Sequence, residues 1–207
     1  EKNWIPVVPA DDALRFIYAC HPTVVVRFDE AAGTIVEEHR HPAPPIAAKL
    51  KGGSQAIPLD DGHLALVHEA VDFDDGGHVY AHRFVLFDRD WRLARLSPQF
   101  LFRERGIEFA AGLARAGDHL VASFGAGDRE AFLARVPLAP VLALLAPPLP
   151  AEALPAALPD PAPPPAVDAN GIAPIDPVAR IEPIPAAPDE ITPFPLPMGT
   201  PWLVSVT

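Results

Sequence analysis

The first 145 residues read as all-β, and two observations carry that reading. From Leu14 to Val136 the apolar residues fall in short runs rich in β-branched and aromatic side chains, separated by Gly, Asp and Pro. Within the same stretch no segment sustains the 3.6-residue period of an amphipathic helix beyond three turns.

The runs follow one another as hairpins. Leu14 to Tyr18, Thr23 to Phe28 and Thr34 to Glu38 precede Pro42. Ser54 to Leu59, His63 to His68, His78 to Phe87 and Arg92 to Leu96 come next, then Glu108 to Ala114, His119 to Phe124 and Glu130 to Val136. Asp60-Asp61-Gly62 and Asp75-Gly76-Gly77 supply residues that tolerate positive φ, and Asp88-Arg89-Asp90 and Ala116-Gly117-Asp118 make similar polar connections. The four runs from Ser54 to Leu96 make a meander the size of a propeller blade, the later three read as strands of the next blade, and the earliest three as most of a preceding one. A β-sandwich has the same strand spacing, so periodicity leaves propeller and sandwich both open.

The C-terminal part is a different material. Of 28 prolines, 8 lie in residues 1–136 and 20 in residues 137–207, where Arg180 is the one basic residue against seven acidic ones. Residues 137–145 suit a two-turn helix packed on the last blade. Residues 146–200 are Pro/Ala-rich without period, a composition that favours extended polyproline II and a largely disordered linker. Residues 201–207 return to strand-like chemistry and are expected to begin the first strand of a truncated following domain. Prolines 137, 140, 147, 148, 150 and 155 interrupt the longest apolar tract, so no transmembrane helix is expected there. The chain opens at Glu1 without a secretory signal pattern, which suggests a piece of something larger.

A formal charge of −11 and the absence of a basic patch interleaved with aromatics argue against a nucleic-acid partner. The one cysteine, Cys20, cannot close an intramolecular disulfide, which fits a reducing cytoplasm. No cofactor and no metal is expected.

The densest chemistry lies in Lys49-Leu50-Lys51-Gly52-Gly53-Ser54-Gln55-Ala56-Ile57, followed by Gly62 and a strand ending at His68-Glu69. Two glycines beside two lysines leave backbone open to an approaching anion, and the strand delivers a histidine nearby. The alternative is a β-turn with solvated lysines and a structural histidine. Glu69, Asp72, Asp74 and Asp75 form a calcium candidate that reads better as a hairpin tip, His39-Arg40-His41 a ligand pair or an inter-blade loop, and Glu108 a partner for Arg103 or Arg105. Trp4 and Trp91 are either sugar platforms or packing anchors.

The pattern Lys-x-x-Gly-Gly-x-x-x-Ile from Lys49, a short turn with Gly62, and a strand ending in His68 resembles a segment of glycoside hydrolase family 130, the β-mannoside phosphorylases and related mannosidases. Glu1-Lys2-Asn3-Trp4, His78-Val79-Tyr80 through Phe87-Asp88, Gly106-Ile107-Glu108-Phe109 and Phe124-Gly125-Ala126-Gly127-Asp128 resemble further family segments in the same order. The resemblance covers about residues 1–145 and implies a five-bladed β-propeller, of which this chain would hold about three blades. It places Lys49 and His68 at phosphate or the attacking water, Tyr80 as a further contact and Asp128 near the sugar rim. The implied partners are a glycan or glycoside, inorganic phosphate, and the missing N-terminal blades. Gln55 and Ala56 stand where the family has prolines, His63 where it has Trp, and Glu69 where it has Gly; a carboxylate at 69 would repel phosphate. The family's general acid lies in earlier blades, so no catalytic residue is assigned and this chain alone is expected to be inert. The alternative is a non-catalytic glycan-binding or scaffolding propeller. Leu203-Val204-Ser205-Val206-Thr207 resembles the first strand of nucleotide-sugar glycosyltransferases, to which such a propeller would be attached.

Overall fold

A computed structural model describes residues 3–8, 11, 13–72, 78–103, 105–145 and 203–206, the side chains of His78 and 203–206 excepted. The expected linker, residues 146–200, lies outside the described residues.

Among the described residues the chain is mostly β and forms three antiparallel sheets, none of them closed. The first holds β1 (Ile5–Pro6), β2 (Arg15–Cys20), β3 (Thr23–Asp29) and β4 (Thr34–His41). A 3₁₀ turn, Pro45–Lys49, leads into the second sheet: β5 (Lys51–Gly52), β6 (Ile57–Leu59), β7 (Gly62–Asp72), β8 (His78–Asp88) and β9 (Leu93–Leu96). β5 and β6 both pair with β7, which pairs in turn with β8 along their full lengths. The third holds β10 (Glu108–Ala116), β11 (His119–Ala126), β12 (Glu130–Pro137) and β13 (Leu203–Val206), with helix α1 (Leu138–Leu144) following β12. Residues 203–206 run antiparallel beside Ala131–Ala134, as the outer strand of the third sheet. Among the described residues no helix is long and apolar enough to cross a membrane.

The alternation of side chains along β7 and β8 gives the middle sheet two covered faces. Leu64, Leu66, Phe84 and Leu86 pack with Ala110, Leu113 and Phe124 of the third sheet and with Val141 and Leu145 of the helix region. The odd-numbered Ala65, Val67, Val85 and Phe87 pack with Ile5, Ile17 and Val25 of the first sheet and with Val7 just beyond β1. A fully buried Phe such as Phe84 or Phe124 contributes roughly 1.5–3 kcal/mol. The middle sheet is therefore buried on both sides, which explains why β7 reads as a near-continuous apolar run.

Buried serines complete the ladder at both margins of this pair. Ser54 Oγ accepts the Leu66 N–H at 2.9 Å and Ser97 Oγ accepts the Phe84 N–H at 2.9 Å. Leu66 and Phe84 are opposite one another, so one row crosses the sheet with every main-chain group satisfied.

Candidate functional site

Residues 51–57, within the densest motif of the sequence, form the seam where the three sheets meet. Ala56 N–H donates to Pro6 O at 2.7 Å and Ala56 O accepts from Val8 N–H at 2.9 Å, joining the second sheet to the first. Gln55 grips the third sheet: its Nε2 donates to Leu113 O at 2.6 Å and its Oε1 accepts the Leu113 N–H at 3.2 Å. The glycines belong to this seam. A Cβ on Gly52 would collide with Asn3 O and Ile5 Cγ1, and one on Gly53 would lie 2.8 Å from Ala110 O and 3.0 Å from Leu66 O. The expected open backbone for an anion is thus filled by the protein's own carbonyl oxygens, which present negative ends and make the glycines packing residues.

Lys49 is exposed at the last position of the 3₁₀ turn. The lysine set opposite His68 is Lys51, its register partner across β5 and β7. His68 is 5% exposed, with its ring 5.0 Å from Tyr80 and 5.2 Å, edge-on, from Phe109, itself 37% exposed. Burial, and then the Lys51 ammonium, pushes the His68 pKa below its usual value, so the imidazole is neutral at neutral pH. His68 and Tyr80 are thereby brought together. Asp128 is exposed in the β11–β12 turn, where it and Gly127 adopt φ 55° and 57°, a conformation Asp tolerates better than most residues.

Behind His68 lies a residue the sequence reading passed over. His82 is its cross-strand partner and fully buried, 4.9 Å from the Phe102 ring and 5.9 Å from the Phe100 ring. Among the described residues neither ring nitrogen of His82 has a hydrogen-bond partner, nor has His68 Nδ1. Burial first, then the neighbouring His68, lowers the His82 pKa to about 3. Its one sequence signal was period: His82 shares the parity of Phe84 and Leu86 on the third-sheet face of β8.

The carboxylates adjacent to these rings are committed elsewhere. Glu69 turns to the opposite face, pairing with Arg83 Nε at 2.8 Å and accepting from Gln99 Nε2 at 2.5 Å. The expected repulsion of an anion beside His68 does not arise from a carboxylate so oriented and neutralised. Glu108 was expected to pair with Arg103 or Arg105; its two oxygens accept the main-chain N–H groups of Phe102 and Arg103 at 2.8 and 2.9 Å. The Arg103 guanidinium instead lies 4.4 Å from the Phe132 ring centre and reaches Glu130 at 3.3 Å.

Of the remaining candidates, Trp4 packs edge-on against Phe16 and Tyr18. His39 and His41 stack on one another at 6.1 Å. Among the described residues no group of three or more His, Cys, Asp or Glu side chains could hold a metal ion; Asp74 and Asp75 of the calcium candidate lie outside them. Lys51, Tyr80 and Phe109 around His68 form a partly exposed rim of one cation and two aromatic rings over a neutral imidazole. No protein-family model matches the chain, and no curated protein matches it.

Proposed function

We propose that this chain is part of a carbohydrate-binding β-propeller in which these blades hold a glycan without cleaving it. The observation that supports it is the rim around His68: exposed Phe109 and half-buried Tyr80 supply aromatic surface of the kind a pyranose packs on, beside the ammonium of Lys51. Three antiparallel sheets of four, five and four strands suit about three blades of a propeller, the fold implied by the resemblance to glycoside hydrolase family 130.

The non-catalytic form of the reading is preferred over a hydrolase or phosphorylase for two reasons. A neutral, buried His68 brings no second positive charge to a phosphate dianion. Glycoside cleavage also needs a positioned acid and a base or nucleophile, and Glu69 and Glu108, the carboxylates next to the cluster in sequence, are engaged elsewhere.

The test is calorimetric titration of the chain with β-linked manno-oligosaccharides, alongside an assay of aryl β-mannoside release with and without inorganic phosphate. Saturable binding weakened about tenfold by Phe109→Ala, with no release, is the expected result. Release above that of a His68→Ala control would make the protein an enzyme, and absence of binding would remove the glycan assignment.

A further inference from the structure

The expectation that residues 146–200 lack any period holds for helix and strand but not for a third kind of repeat. From residue 168 to 190 the large apolar side chains are Ile172, Ile175, Val178, Ile181 and Ile184, every third position without exception. A polyproline II helix completes a turn in three residues and about 9 Å, so these five share one edge of it. Pro174, Pro177 and Pro183 share the second edge with Arg180, and Ala173, Asp176, Ala179 and Glu182 fall on the third. Proline fixes the backbone angle this helix needs, and an edge of branched apolar side chains gains from being covered.

A surface of matching chemistry lies on the first sheet. Ile5, Ile17 and Val25 turn toward the middle sheet, so strand alternation puts Phe16 and Phe28 on the opposite face, with Leu14 two residues before Phe16 and Ile35 across from Phe28. Trp4 extends the row, its ring edge-on to Phe16 at 5.6 Å and to Tyr18 at 5.2 Å. Leu14 and Ile35 are 49% and 51% exposed, and the four aromatic side chains are half-buried. Neither hydrophobic core includes any of these six residues. Phe16 stands opposite Val26, so Phe28 is its diagonal neighbour about 7–8 Å away, close to the repeat of a polyproline II helix.

We propose that residues 172–184 dock in cis as a polyproline II helix across this face, with the Ile and Val edge against the aromatic row. Aromatic-lined surfaces take up proline-rich chains in this way, because a backbone already fixed by proline gives up little entropy on binding. The length of the chain permits it. Residues 146–171 and 185–202 reach up to about 80 and 55 Å in the same conformation, against roughly 30 Å through three sheets stacked about 10 Å apart. The segment can therefore leave α1, cross the outer face of the first sheet and return to β13 beside β12. A preceding propeller blade would compete for the same face, so the inference stands apart from the glycan reading and its test involves neither sugar nor His68.

Arg180 is the one basic residue in residues 137–207, so trypsin probes the segment at a single bond. Its cleavage in the full chain is compared with that in a synthetic peptide of residues 168–190. Protection of about tenfold in the chain, unchanged on dilution, is the expected result. Ile175→Ser with Ile184→Ser breaks the apolar edge away from the cleaved bond and should restore the peptide's rate, whereas Ala173→Ser with Ala186→Ser, on the other two edges, should not. Leu14→Ser and Ile35→Ser, each at an exposed position of the face, should each raise the rate severalfold; circular dichroism verifies their folds, and either variant alone decides. Cleavage of the chain as fast as the peptide would overturn the proposal. So would protection that Leu14→Ser and Ile35→Ser leave intact, which would put the segment on another surface, or protection lost on dilution, which would put it on another copy.

Discussion

On the face of β7 and β8 turned toward the first sheet, Glu69 and Arg83 form a buried ion pair that Gln99 and the Ser97 carbonyl complete. One residue earlier in each strand, on the face turned toward the third sheet, His68 and His82 sit side by side among aromatic rings, with both ring nitrogens of His82 and Nδ1 of His68 lacking a hydrogen-bond partner among the described residues. The same two strands thus bury charge on one side and neutral polarity on the other. A carboxylate and a guanidinium can enter the interior only with partners, because desolvating either alone costs several kcal/mol or more. An imidazole has another route: it gives up its proton and enters as a weakly polar ring, carrying the cost of its missing hydrogen bonds. The first solution is sensitive to mutation and the second to acid.

The largest effect expected from this contrast follows removal of one charge. Arg83→Met leaves Glu69, at 4% exposure, with Gln99 as a neutral partner, and should destabilise the chain by about 3–5 kcal/mol at neutral pH. The double variant Glu69→Gln with Arg83→Met should recover most of that loss, since it removes the uncompensated charge. Urea midpoints of the three proteins measure both quantities. If the single variant lost less than about 1 kcal/mol, solvent would be reaching Glu69 and the ion-pair face would not obey the rule drawn above.

The histidine face should respond to pH. His82 has a folded pKa of about 3 against an ordinary 6.5, so between these values the unfolded chain binds a proton that the folded chain refuses. The stability that depends on neutral His82 is therefore fully present above pH 6.5 and falls as the pH drops toward 3. The limiting slope is about 1.4 kcal/mol per pH unit, which amounts to about 3 kcal/mol at pH 4. His68, His63 and His41 are lowered by burial in the same direction and add to the trend. His82→Phe should flatten the profile and leave stability at pH 7 equal or slightly higher. Equal pH slopes in the two proteins would show that His82 titrates freely and is not sealed in.

How much of this was legible in the sequence divides along the same line of local against long-range. The strands Thr23–Asp29 and His78–Asp88 stand where apolar and β-branched runs put them, because a buried strand writes its own periodicity, whereas the run read from His63 to His68 continues as strand to Asp72. β1 and β5 are two residues each and exist only through pairing with β2 and β7, so no local pattern marks them. The glycine pair was conspicuous, but its meaning was not. Whether Gly52-Gly53 admits a ligand or a neighbouring backbone depends on Asn3 and Ala110, far apart in the chain. His68 and Tyr80 were recognised by type and meet in space, whereas Lys49 was preferred over Lys51 because only register reveals which lysine stands opposite His68. Of the residues lining the cavity between the first and second sheets, Trp91 and His39 were conspicuous by type, but nothing local showed that they meet. Arg15, Glu38, His63 and Trp91 belong to four separate segments, and the left-handed turn at Trp91 places a bulky residue where Gly or Asn is the usual choice.

The smallest effect separates the two faces from each other. Gly52 and Gly53 are adjacent, yet a methyl group added at 52 meets Asn3 and Ile5 beside the first sheet, while one added at 53 meets Ala110 of the third sheet and Leu66 of β7. Gly52→Ala should therefore loosen the seam on the ion-pair face and Gly53→Ala the seam on the histidine face. Each obstructing atom includes a backbone carbonyl that cannot rotate aside, so a cost of about 1–3 kcal/mol is expected for either. Gly125→Ala is the control, because its added methyl would meet Glu130 O at 3.6 Å, an ordinary contact. The discriminating readout is the imidazole resonances. Gly53→Ala should shift those of His68 and His82, whose rings face β10 and the Phe100–Phe102 segment, and Gly52→Ala should leave them nearly in place. Equal shifts in both variants would mean that the middle sheet transmits strain through its thickness, and that its two faces respond as one unit however differently they are built.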